Sequence, residues 1–247
     1  MFSTLLLIVA AYAAGVVNAV AGGGSFLTFP ALVFAGVPPV AANATSTVAV
    51  CPGALAGAYG YRNELGKLTE ISLPTFIGVS LVGGLMGALL LLWTPDATFA
   101  VLIPWLLLFA TALFAAGPKL AACIRKKAQL GTVGVLIVQF FIAVYGGYFG
   151  GGIGILMLAT FGVFGLRDIH AMNGLKSLLS GCLNAIAVVA FVAGGAVYWN
   201  AALIMLVACV AGGYSGARIA RRIPPPYLRK FIILVGSAMT VYFFLTK

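Results

Sequence analysis

The chain has 247 residues, of which 63% are hydrophobic and 7% charged, with a mean hydropathy of +1.16. That leaves too little polar surface to cover a water-soluble globule of this length, so lipid is the expected solvent. The 14 Lys and Arg against 4 Asp and Glu would suggest nucleic acid in a soluble domain, but these bases gather in short loops between apolar segments, which points to a bilayer and away from a nucleic-acid partner.

In hydrocarbon every backbone N–H and C=O must be paired internally, and unbroken apolar runs rather than alternation select helices over a barrel. The predicted fold is therefore all-α and polytopic. Five apolar segments come first, at Leu5–Val20, Ser25–Ala35, Ala41–Gly60, Ile71–Trp93 and Ala97–Ala116. Ala11-Tyr12-Ala13 resembles a leader cleavage site, yet no Lys or Arg precedes the apolar core, and the segment has a counterpart before Gly150; it is expected to stay as the first membrane helix. A basic linker with Lys119, Arg125, Lys126 and Lys127 follows. Five more segments come next, at Thr132–Phe149, Ile153–Gly165, Ala171–Gly194, Ala201–Ile219 and Leu228–Leu245. The expected organisation is a first membrane repeat over 1–118, a cytoplasmic linker over 119–130 and a second repeat over 131–247.

The halves echo one another. Gly22-Gly23-Gly24 leads to Asn43, and Gly150-Gly151-Gly152 leads to Asn173. Gly83-Gly84-x-x-Gly87-Ala88 is matched by Gly212-Gly213-x-x-Gly216-Ala217, and small residues spaced four apart read as close helix contacts in lipid. The second element of each half is far shorter than the roughly 20 residues needed to span hydrocarbon. If those elements do not cross, the halves are parallel and the bases near Arg218–Lys230 face outward. If they cross, each half has five elements, the halves are inverted, and every base except Lys176 and Lys247 falls in or near a cytoplasmic loop. Two inverted five-element repeats are expected, an arrangement secondary transporters use to form a site near the midplane from broken helices.

Lys176 is the residue that costs most, since a lysine near a helix centre carries a penalty of roughly 2.5–3.5 kcal/mol on insertion scales. Asn173, Ser177 and Ser180 lie on or near its helical face, so an ammonium, an amide and hydroxyls could hold an anion; the alternative is a lysine that snorkels to the interface. The matching stretch of the first half offers Asn43, Thr45 and Ser46 without a charge. Gly22, Gly23, Gly24 and Ser25, with Gly150, Gly151 and Gly152, can aim free backbone N–H groups at an anion, or serve only as kinks. Tyr148 is placed either on the pathway or as an interfacial anchor. His170, beside Arg167 and Asp168, reads as a solvated or capping residue. Cys51, Cys123, Cys182 and Cys209 fall singly and read as buried apolar groups. No catalytic, metal or dinucleotide signature appears, so no enzyme activity, cofactor or metal is expected.

The run from Gly15 to Ser25 with Pro30, the Asn43-Ala44-Thr45 stretch, Gly146 to Gly154, and Asn173-Gly174-Leu175-Lys176 resemble the sulfite exporter TauE/SafE family, also called the TSUP family. The likeness spans both halves. It implies transport of small sulfur-containing or organic anions, such as sulfite, sulfoacetate or similar sulfonates, across the bacterial cytoplasmic membrane. Gly151 is a departure, since many members carry a larger small residue such as alanine there, with consequences for pocket size. The expected function is alternating-access transport of such an anion; a passive anion channel and a non-transporting scaffold subunit are the alternatives.

Overall fold

The computed structural model describes residues 2–20, 23–65, 72–127, 131–219 and 225–246, with side-chain surroundings within 3–18, 23–65, 72–116, 131–215 and 230–246. Among them the chain forms helices and no strand. The first half contains α1 (Phe2–Val20), α2 (Ser25–Phe34), α3 (Pro39–Gly60), the single turn α4 (Arg62–Leu65), α5 (Leu73–Trp93) and α6 (Asp96–Lys127). The second contains α7 (Thr132–Tyr148), α8 (Ile153–Phe164), α9 (Ile169–Ala193), α10 (Trp199–Ile219) and α11 (Pro225–Leu245). The expected segments become helices whose ends shift by a few residues. Two findings were not anticipated: α4 closes the end of α3, with Glu64 and Leu65 N–H donating to the Tyr61 carbonyl, and α6 runs into the basic linker as far as Lys127. The side chains of the linker bases and of Arg218, Arg221, Arg222 and Arg229 lie outside the described residues, as does Lys67.

The helix α3, the helix α5, the Asp96–Ala116 part of α6 and the helix α9 are each long and apolar enough to cross a membrane. By contrast α2 and α8 have 10 and 12 residues, or about 15–18 Å at 1.5 Å per residue, half of the roughly 30 Å of a hydrocarbon core. Each stops where glycine permits a turn against the helix, at Gly36 with φ +85° and Gly165 with φ +110°.

The most extensive helix pairings map onto one another when the halves are exchanged. α1 packs on α10 as α7 packs on α5; α2 meets α11 as α8 meets α6; α3 meets α10 as α9 meets α5. Two further pairs, α3 with α9 and α6 with α11, join equivalent helices. α3 and α9 run antiparallel, because Tyr61 lies against Gly174, Gly57 against Ser177 and Leu55 against Gly181. The small-residue motifs make the closest approaches: Gly83, Gly84 and Gly87 of α5 sit on the backbone of α7 or on Leu183 of α9, and Gly212 of α10 sits on the backbone of Tyr12. Apolar side chains on the outer faces stay uncovered, among them Phe141 at 65% and Val207 at 68% exposure, as expected where lipid replaces water.

A polar pair is sealed between α5 and α7. Gln139 Nε2 donates to Ser80 Oγ over 2.9 Å, both residues are fully buried, and Gln139 Oε1 has no partner among the described residues. Ser80→Ala should therefore lower the melting midpoint in detergent, because it strands a second buried group at a cost of about 1–3 kcal/mol. The double change Ser80→Ala with Gln139→Leu should recover most of that loss, which a thermal-shift series reads directly.

Candidate functional site

The two chain breaks and the α3/α9 pair enclose one cavity of about 130 Å³, well above the roughly 10–15 Å³ that one water requires. α9 supplies a polar stripe, Asn173, Lys176, Ser177, Ser180 and Asn184, repeating every three or four residues so that it follows one helical face. α3 opposes it with Val50, Gly53, Ala54 and Gly57, small residues that leave space rather than fill it, and Tyr61 stands at the end of this wall. The first break adds Asn18, Gly23 and Ser25; the second adds Gly150, Gly152, Ile153 and Gly154.

Among the described residues Lys176 is the one charged side chain in this lining. Its stem passes over the first turn of α8, where a Cβ on Gly154 would lie 3.2 Å from Lys176 Cδ. Its ammonium donates to Asn173 Oδ1 over 3.1 Å, and the Asn173 amide donates in turn to the Ile169 carbonyl. A hydrogen bond to an amide leaves the charge uncompensated. The stem thus crosses the start of α8 and keeps the amine in the cavity, where sequence left snorkelling to the interface as an alternative.

The second break sets a helix start beside that ammonium. Gly152 has φ +78°, which a side chain would strain, and it turns the chain so that α8 begins at the cavity wall. Its carbonyl accepts from Ile155 and Leu156, while the N–H groups of Ile153 and Gly154 have no acceptor among the described residues. The first break follows the same plan with Gly23 at φ +103°. There Gly24 N–H is taken up by Asn18 Oδ1 at 3.4 Å, which fixes Asn18 in the lining. Lysine charge and helix dipole have the same sign, so together they favour an anion. Among the described residues no three His, Cys, Asp or Glu side chains gather as a metal would require.

Of the residues singled out from sequence, Gly23, Ser25, Gly150, Gly152, Asn173, Lys176 and Ser177 come together around this cavity. Gly22 lies outside the described residues. Gly24 is buried beneath the wall, and so is Gly151, whose added Cβ would press on the Phe149 ring at 2.8 Å; an alanine there would act on Phe149 before it acted on pocket size. Asn43, Thr45 and Ser46 do not line the cavity. Asn43 Nδ2 donates to the Tyr148 carbonyl (3.0 Å), Thr45 Oγ1 accepts from Tyr198 N–H (3.0 Å), and Ser46 shares a 2.6 Å hydrogen bond with Thr28. Tyr148 is also outside, with its ring against Phe99 and its hydroxyl 3.4 Å from Thr94. Asp168 caps α9 through the His170 N–H, and His170 is exposed with its ring 6.4 Å from that of Tyr61.

Asn18 and Asn184 were not read from sequence as site residues. Asn184 had a signal: it continues the stripe from Asn173 through Ser180 by one more turn. Asn18 had a weaker one, a lone amide near the end of an apolar helix.

A family model described as sulfite exporter TauE/SafE matches residues 7–243. The chain is 29% identical to a protein of Escherichia coli strain K12 named probable membrane transporter protein YfcA, over 97% of this chain and 90% of that one. It is 30% identical to a probable membrane transporter protein of Haemophilus influenzae, over 93% and 89%, and 28% identical to probable membrane transporter protein ORF9 of a Sinorhizobium species, over 95% and 90%. No solved structure matches it significantly. With apolar helices throughout and a family match over nearly its whole length, the chain belongs to the sulfite exporter TauE/SafE family of membrane transporters.

Proposed function

We propose that the chain is a secondary transporter that moves a small sulfur-containing or organic anion, such as sulfite, sulfoacetate or a similar sulfonate, across the bacterial cytoplasmic membrane by alternating access. The observation that carries this reading is the cavity lining, which among the described residues holds one cation, several amide and hydroxyl donors and no carboxylate. A small oxyanion brings a charge for Lys176 and several acceptor oxygens for Asn173, Ser177, Ser180, Asn184 and the N–H groups of Ile153 and Gly154. Those charge-assisted bonds replace the water such an ion loses. A cation would meet Lys176 and two helix dipoles of its own sign, and a neutral solute would leave Lys176 uncompensated. The cavity volume suits an ion of a few heavy atoms.

The same reading takes the halves as inverted repeats, 1–118 and 131–247, about the linker 119–130. Its support is the antiparallel run of α3 against α9, which a parallel duplication would not produce between equivalent helices. The positive-inside rule then assigns the loops bearing Arg62 and Arg167 to the cytoplasm, and the Tyr61 end of the cavity with them. Asn43, Thr45 and Ser46 enter the ligand path only when the protein faces the other way. Flux of radiolabelled sulfite and sulfoacetate into proteoliposomes tests the function: saturable uptake, competed by the unlabelled anions, is expected. Absence of flux for every small anion, from protein shown to be folded, would contradict it.

A further inference from the structure

Sequence equivalence and structural state part company at Asn43 and Asn173. Both begin the polar run of the third element in their half, yet Asn173 faces an open cavity while Asn43 is 2% exposed. Carrying the α9 lining onto α3 residue by residue, Asn173 to Asn43 and onward, predicts a second cavity around Asn43, Ser46 and Thr47. Asn43 and Ser46 are sealed, and Thr47 is half-buried with its hydroxyl donating to the Asn43 carbonyl. Ser46 is 1% exposed, and across from it Leu183, Ala187 and Phe191 of α9 are fully buried. Val50 and Ala54 with Ser180 and Asn184 belong to both the open set and its sealed mirror, so they mark the centre of the exchange. Asn43 lies seven residues before Val50, about 10 Å along the helix at 1.5 Å per residue, on the far side of that centre from Tyr61.

Two hydrogen bonds close the sealed side, and both join opposite halves: Asn43 Nδ2 to the Tyr148 carbonyl and Tyr198 N–H to Thr45 Oγ1. Their counterparts on the open side are unmade. Asn173 turns its amide back to Ile169 in its own helix, and position 175 is a leucine with no hydroxyl to accept a bond. A lone Thr–amide bond could be ordinary packing. Two inter-half bonds on one side, each missing where the duplication would repeat it, are what a two-state element biased to one state looks like.

We infer that Asn43 and Thr45 form a latch that holds the protein shut on the side opposite the Tyr61 end of the cavity, and that opening this side requires both bonds to break. The latch rests on the alternating-access reading above and gives it a named barrier. Its asymmetry has a consequence: because position 175 cannot reproduce the Thr45 bond, the Tyr61 side closes with one fewer polar tie, and the unloaded protein favours the state seen here.

The test is accessibility, which needs no substrate. Ser46→Cys places a thiol on the sealed side, where Ser46 is 1% exposed, and Ser177→Cys places one in the cavity lining. Each is labelled in proteoliposomes with a membrane-impermeant maleimide and read by peptide mass spectrometry, so that native cysteines do not interfere. With the latch intact, Cys at 177 should label and Cys at 46 should not. Asn43→Ala or Thr45→Val should each raise labelling at 46 by about tenfold, the effect of one buried hydrogen bond, and the pair by about a hundredfold. Thr45→Val removes the acceptor with little change of shape and carries the test if Asn43→Ala fails to fold. Unchanged labelling at 46 in folded variants would overturn the latch, whether or not the parent protein moves sulfite. A rise at 46 in a protein that moves no anion would keep the latch and remove the transport reading instead.

Discussion

Lys176→Met is expected to cut sulfite or sulfoacetate flux per folded molecule by at least about thirtyfold. Truncating one partner of a buried charge pair costs roughly 2–5 kcal/mol, and among the described residues no other cation lines the cavity. The same change should leave the protein as stable as the parent or more so, since it removes a lysine whose place in a membrane helix carries its own penalty. That opposition of signs is the diagnostic: a structural lysine would lose stability and transport together. Lys176→Arg should keep part of the flux, because the charge remains while the larger planar head takes space beside Gly154. Proteoliposome flux normalised to folded protein, with a melting curve for each variant, checks all three. Full flux in Lys176→Met would leave the lysine a snorkelling role.

Gly87→Ala is expected to be the most damaging single methyl in the scaffold. Its Cβ would run into the Val144 carbonyl of α7, and the matching change Gly212→Ala would run into the Tyr12 carbonyl of α1. Backbone cannot step aside as a side-chain tip can, so α5 would have to part from α7, or α10 from α1. The expected loss is about 1–3 kcal/mol or more, seen as a fall in melting midpoint and in yield after detergent extraction. Gly78→Ala is the control. It lies in the same helix with nothing within 4 Å of its Cβ, and should be neutral or gain up to about 1 kcal/mol from helix propensity. Equal behaviour of Gly78→Ala and Gly87→Ala would refute close packing at the motif.

The helices were legible because lipid imposes one rule on every span, and α2 and α8 stood out by length alone. α4 escaped because one turn in a polar loop has no apolar period to read. The anion-friendly stripe of α9 was legible in Asn173, Lys176 and Ser177, since helical spacing is a local property; reading one turn further would have added Asn184. The state of Asn43, Thr45 and Ser46 was not legible. Their positions match those of the second-half stripe, but what holds Asn43 and Thr45 are groups 105 and 153 residues away, the Tyr148 carbonyl and the Tyr198 N–H. A duplicated sequence specifies two equivalent places, while a single conformation occupies them differently.

Counterflow tests the central claim most directly. Proteoliposomes loaded with unlabelled sulfoacetate or sulfite are diluted into a trace of the labelled anion, with no ion gradient imposed. A carrier with one alternately exposed site predicts transient accumulation of label above equilibrium, saturable in the internal anion and lost in Lys176→Met. Label that only equilibrates, at a rate indifferent to the internal anion, would contradict the account and point to a passive pore.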